Sequence, residues 1–144
     1  MVFCVAYSFK FGSTFFTNGI LQDAIGRYLE TGLHHAHVKN MKTALQQNLA
    51  RYMSSINRYF PDEVKIAAPK GGFSIWLELP VTINASELHR RALQEGIGIF
   101  PGQIFSTSFQ YNNYIRINYC LIWTSKIDWY LEKLAMLVKK YKSN

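Results

Sequence analysis

The chain has 144 residues, 49% apolar and 15% aromatic, with a formal net charge of +7. That length suits one domain with a real core, and the apolar share excludes a disordered tail. Two cysteines, Cys4 and Cys120, are too few and too far apart for a disulfide framework, and no metal-type Cys/His spacing accompanies them. The start, Met1 to Phe9, has no basic n-region or small-residue cleavage site, and no apolar run nears the ~20 residues of a membrane helix. A soluble, cytoplasmic protein is expected. The basic residues are dispersed (Lys39, Lys42, Arg51, Arg58, Arg90, Arg91, then Lys139, Lys140 and Lys142 in a final helical turn), which reads as solvated helix faces rather than a nucleic-acid patch.

Residues 1–17 are an irregular start in which Phe3, Phe9, Phe11, Phe15 and Phe16 follow no clear period. This segment is expected to cover an apolar surface or to drive self-association. Leu21, Ala24, Ile25, Tyr28 and Leu29 then keep the spacing of one helix face, with Gly32 as terminator. Val38, Met41, Leu45, Leu49, Tyr52, Met53, Ile56 and Tyr59 form a second apolar stripe, stopped by Pro61. The period next changes to two. Val64 and Ile66 open a short strand, Pro69 and Gly71–Gly72 mark a turn, and Phe73, Ile75, Leu77 and Leu79 alternate with Ser74, Trp76 and Glu78 up to Pro80.

Asn84, with Glu87 three residues on, resembles a capping box for a third helix with Leu88, Ala92 and Leu93 inside and Gly96 at its end. Ile97 to Phe100 and Tyr114 to Tyr119 read as strands. Thr124 caps a last helix with Ile127, Tyr130, Leu131, Leu134, Val138 and Tyr141 as its stripe. Helix pair, strand pair, helix, strand pair and helix predict an α/β chain of the α+β two-layer kind: a small mixed or antiparallel sheet of about four strands covered by helices. The boundaries expected are an irregular start over 1–17, a helix pair over 18–60 and the sheet domain over 61–144.

Within Tyr114–Tyr119, Arg116 shares a face with Tyr114 and Asn118. A guanidinium fixed on a strand offers a flat two-pronged donor set that matches a carboxylate, and an ordinary solvent-facing arginine gives the same pattern. His34, His35 and His37 lie at a helix junction with no nearby Cys, Asp or Glu to complete a metal site, so no metal is expected. Ser106, Thr107 and Ser108 have no nucleophile elbow around them, no phosphate-binding glycine motif occurs, and Cys4 and Cys120 read as small packing residues. No catalytic residue is assigned, and the chain alone is not expected to be an enzyme.

The run GGFSIWLELP, NASELHRRALQEGIGIFPGQIFSTS, NNYIRINYC and a final amphipathic helix resembles the C-terminal small domain of fold-type I aminotransferases that use pyridoxal phosphate. PGQIFSTS ahead of YIRINY, with Trp123 after it, is most similar to the MocR branch of the GntR transcription regulators, where such a domain follows a winged helix-turn-helix. LQDAIGRYLETGLHHAHVKNMKTALQQNLARY resembles the helix pair before the small domain, so the likeness spans about residues 18 to 142.

The resemblance implies that Arg116 grips the α-carboxylate of an amino-acid effector or substrate. It also implies that Phe100, Pro101, Gly102 and Asn118 face the cofactor cleft. No segment matches the family's cofactor lysine, its pyridine-nitrogen aspartate or its phosphate loop, and YSFKFGS around Lys10 does not resemble the lysine context. Pyridoxal phosphate is therefore expected in a full-length parent and not on this chain alone. The implied partners are the rest of the cofactor-binding domain, a second subunit and DNA through a separate N-terminal module, with no membrane. The readings carried forward are a lobe of a MocR-type regulator, the same lobe of a free-standing amino-acid aminotransferase, and an independent basic module.

Overall fold

The computed structural model describes residues 18–67, 69–108 and 110–142. The chain divides into two compact units, residues 1–42 and 43–144.

In the first unit, helix α1 spans Gly19–Glu30, and the second helix, α2, runs Leu33–Tyr59 and so opens in this unit. Asn18 caps α1, its Oδ1 accepting from the amides of Ile20 at 3.1 Å and Leu21 at 3.4 Å. No residue of α1 is buried, and its predicted stripe of Leu21, Ile25 and Leu29 stands exposed. α2 begins five residues before Val38, so His34, His35 and His37 form its first turns. The aromatic-rich start, with Cys4 and Lys10, lies outside the described residues.

The second unit is built on four strands, β1 (Lys65–Ala67), β2 (Ser74–Glu78), β3 (Phe100–Pro101) and β4 (Tyr114–Asn118), in the order β1-β2-β4-β3 with every neighbouring pair antiparallel. The sheet predicted as mixed or antiparallel is thus the latter. Alternation decides its faces: Ile75 and Leu77 of β2 and Ile115 and Ile117 of β4 are buried, and their neighbours point to the opposite side. The buried side packs in one core with Tyr52 and Ile56 of α2, Leu88 and Ala92 of α3 (Ala85–Gln94), and Leu131, Leu134 and Val138 of α4 (Ser125–Lys142). That is a two-layer α+β fold.

The expected cap at Asn84 is present. Its side chain accepts from the amides of Ser86 at 2.9 Å and Glu87 at 3.2 Å. Asn84→Ala should cost about 1 kcal/mol of stability, read as a drop in Tm; an unchanged Tm would mean that water replaces the cap without loss.

Several sequence expectations are corrected. Leu93, read as an inside residue of α3, and Phe73, read on the buried register of β2, are both exposed. The strand read over Ile97–Phe100 is reduced to Phe100–Pro101, because Gly96, at φ 73°, turns the chain out of α3, and the Ile97 amide still donates to Ala92 O at 2.8 Å. Ile97 and Ile99 enter the core without pairing, and proline, lacking an amide, ends an edge strand. Cys120, read as a packing residue, is exposed, since Tyr119 takes the inward position beside it.

Asp128 of α4 fastens the helix layer. Its carboxylate accepts from Ser55 Oγ at 2.5 Å and from Tyr59 OH at 2.8 Å, both on α2. The Ser55 and Tyr59 hydroxyls hold the Asp128 pKa below its ordinary 3.8, while the same carboxylate raises that of Tyr59 above 10.0. A depressed acid stabilises the fold above its unfolded pKa and loses that contribution as pH falls through its folded value. The raised phenol contributes below 10.0 and loses its contribution as pH climbs through its folded value. Asp128→Asn should cost about 1–2 kcal/mol at neutral pH and flatten the decline in stability below pH 4, measured by urea unfolding across pH. An acid limb as steep as in the parent sequence would assign that decline to other carboxylates.

Candidate functional site

On the side of the sheet away from the core, β2 places Ser74, Trp76 and Glu78, and β4 places Tyr114, Arg116 and Asn118. Arg116 stands cross-strand to Trp76 on one flank and to Phe100 on the other. Its guanidinium carbon lies 4.4 Å from the ring centroid of Phe105 and 5.4 Å from that of Phe100. The Arg116 Nε is buried without a hydrogen-bond partner, and no salt bridge reaches this arginine among the described residues. The only carboxylate that the two central strands contribute, Glu78, accepts the Tyr114 hydroxyl, which raises that phenol's pKa, and meets Lys65 Nζ at 3.4 Å.

Phe105 ends a 3₁₀ turn, Gly102–Phe105, that follows β3 directly. Gln103 anchors the turn: it accepts from Ser86 Oγ on α3 and donates to Asn112 Oδ1 at 2.7 Å. Gly102 is buried, and a Cβ there would stand 2.7 Å from Tyr111 O and 2.8 Å from the Cβ atoms of Tyr111 and Tyr114. Asn118 accepts from Ser74 Oγ at 2.9 Å, which fixes the amide beside Arg116. Of the residues singled out in the sequence, Arg116, Phe100 and Asn118 share this face, whereas Pro101 and Gly102 are buried in the turn that supports it.

Sequence reasoning did not single out Trp76, Phe105 or Tyr111. A tryptophan on the polar register of a strand is the signal that was available, because a fully solvated face has no use for an indole.

Two hollows elsewhere offer less. A groove of about 360 Å³ on the core side is lined by Tyr52, Ile97, Ile99, Ile117 and Leu134 among others, with Cys120 beside them. No charged side chain lines it, so it has no counter-charge for an ionised ligand. In the first unit, His34, His35, Val38, Lys39 and Lys42 line a shallow depression, and His34 is spent on edge contacts with the rings of Tyr28 and His35. No three His, Cys, Asp or Glu side chains converge as metal ligands among the described residues.

What the outer face can do chemically follows from its donors. A cation stacked on one flat side by Phe105 keeps its N–H edges for an anion, and a planar carboxylate fits them. A pyridoxal cofactor requires a lysine anchor, a phosphate cradle and an acid at its ring nitrogen. The central strands supply one arginine and none of these, so the set fits a carboxylate and does not fit that cofactor.

No protein-family model matches the chain. The HTH-type transcriptional regulator YdcR of Escherichia coli is 33% identical over 128 residues, 89% of this chain and 27% of the regulator. A second Escherichia coli HTH-type regulator, YjiR, is 37% identical over 112 residues, 78% of this chain and 24% of that protein. The solved α-aminoadipate aminotransferase LysN of Thermus thermophilus, complexed with a phosphopyridoxyl-leucine, superposes with a TM-score of 0.74 at 25% identity, over 83% of this chain and 30% of LysN. The fold is the aminotransferase small domain. Homologues of this small domain are therefore both regulators of the MocR type and aminotransferases. The chain spans about a quarter of the length of the curated relatives it matches. No helix among the described residues is long and apolar enough to cross a membrane.

Proposed function

We propose that this small domain is the C-terminal lobe of an aminotransferase-like effector sensor in a GntR/MocR-type cytoplasmic regulator. Arg116 holds the α-carboxylate of an amino-acid-like ligand, with Phe100 and Asn118 beside it at the cleft. Pro101 and Gly102 support that cleft from beneath. The single observation that carries this reading is a half-buried guanidinium, stacked on Phe105, whose buried Nε has no hydrogen-bond partner among the described residues. A guanidinium with no protein counter-ion among the described residues keeps its terminal N–H groups for the two oxygens of a ligand carboxylate.

The remaining parts of the activity belong to the parent. Pyridoxal phosphate sits in its other domain, a second subunit completes the assembly, and a separate DNA-binding module reads the operator. Ligand-driven closure of the lobe is transmitted to that module only to the extent that the ligand binds the closed state better than the open one. The apolar stripe of α1 agrees with a lobe that packs on further chain, since Ile20 is 81% exposed and Leu21, Ile25 and Leu29 lie open with it. The domain boundaries proposed are the irregular start at 1–17, the connecting helix pair at 18–60 and the lobe proper at 61–144.

A second reading is the same lobe in a free-standing amino-acid aminotransferase, favoured by the superposition on LysN. The gene sequence on the N-terminal side of the domain separates the two, because a winged helix-turn-helix there selects the regulator. Under both readings, pyridoxal phosphate added to the 144-residue chain should give no stoichiometric absorbance band of a lysine-bound cofactor. A one-to-one band traced to a single lysine would overturn the division of labour proposed between lobe and parent.

A further inference from the structure

The outer face carries more than a guanidinium. The Phe105 ring contacts both Arg116 and Trp76, 4.4 Å from the guanidinium carbon and 5.4 Å from the indole centroid. Tyr111 extends this wall, 5.7 Å from Trp76 and 5.3 Å from Tyr114. Phe105 and Tyr111 remain 41% and 44% exposed, Phe105 against the cation and Tyr111 farther along, against Trp76 and Tyr114. Tyr111 does so from a left-handed backbone, φ 65°, which a bulky residue adopts only at an energetic cost. Gln103, tied to both Ser86 and Asn112, holds the turn that carries Phe105. These rings are positioned before any ligand arrives.

The charges on the same face are lopsided. Arg116 is the one cation of the two central strands; Lys65, on the outer strand, already pairs with Glu78. A ligand with a second carboxylate finds no second free cation on these strands and meets Glu78 instead.

We infer that the face selects monocarboxylate ligands bearing an aromatic side chain, which stacks on the Phe105–Tyr111–Trp76 wall while the carboxylate sits on Arg116. The inference rests on the carboxylate role proposed for Arg116 and adds the class of side chain. Stacking against preformed rings is worth about 0.5–1.5 kcal/mol beyond the area buried, which corresponds to a preference of up to roughly tenfold.

The test uses the whole 144-residue chain and four probes, 3-indolepropionate, 3-phenylpropionate, propionate and glutarate, followed by NMR at the Arg116 Nε–H and the Trp76 indole N–H. The two aromatic acids should bind about tenfold more tightly than propionate, and glutarate no better than propionate. Phe105→Ala and, separately, Tyr111→Gly should each reduce that ratio to about threefold or less, with circular dichroism confirming the fold. Equal affinity for aromatic and aliphatic acids, or a preference for glutarate, overturns the aromatic selection and leaves Arg116 as the carboxylate contact. No shift at Arg116 with any of the four acids overturns the carboxylate role itself, and the inference falls with it.

Discussion

Arg116→Ala in a full-length parent is expected to weaken binding of a carboxylate ligand by about 2–4 kcal/mol, roughly thirtyfold to a thousandfold, with fold stability changed far less. The size follows from the environment of the guanidinium. It is half-buried and screened on one side by Phe105, and among the described residues no carboxylate divides its charge. A charge-assisted pair formed there is shielded from water and worth more than an exposed ion pair. Arg116→Lys should recover only part of the affinity, since a single ammonium point cannot reproduce the two-pronged fork. Calorimetric titration of the parent and both variants provides the measurement. Unchanged affinity in Arg116→Ala would remove this residue from the site.

Gly102→Ala is expected to destabilise the lobe by about 2–3 kcal/mol, and to disturb the ligand face at the same time. The new methyl meets a carbonyl oxygen at 2.7 Å and two Cβ atoms at 2.8 Å, and none of these is the free end of a flexible side chain. Relief requires either Tyr111 and Tyr114 or the 3₁₀ turn to move. The Tyr114 amide donates to that same Tyr111 oxygen at 3.1 Å, so the loop resists displacement. If the turn yields, Phe105 leaves the guanidinium. Chemical denaturation should therefore report lost stability while ring-current shifts near Arg116 change. A variant as stable as the parent sequence would mean that the close approach relaxes at no cost.

The parts of the fold that were legible in the sequence are those whose residues keep a period. Leu88 and Ala92 of α3, and Leu131, Leu134 and Val138 of α4, fall on one helical face and are buried. Ile115 and Ile117 alternate with Arg116, so the inner and outer sides of β4 follow from alternation alone. Strand β3 was overextended because Ile97 and Ile99 look alike whether they pair or only fill the core. The aromatic wall was hidden for a different reason. Trp76 and Phe105 are 29 positions apart and meet only because β2 lies beside β4, and because the turn after β3 folds over the same face. Alternation assigns a side of the sheet, and it does not say what else in the chain comes to that side. The positive φ of Tyr111 is equally silent in the sequence, because no glycine or asparagine marks it.

The Ser55–Asp128–Tyr59 junction constrains how this lobe can move. Packed helices commonly accommodate a ligand by shear, sliding a little along one another while their apolar surfaces re-engage. Displacing α4 by one turn relative to α2 would carry Asp128 about 5.4 Å from hydroxyls that it now holds within 2.8 Å. Losing both donors there gives up about 1–2 kcal/mol, so the junction biases α2 and α4 against that slide. A ligand that repacked these two helices to open or close the face around Arg116 would have to offset that loss.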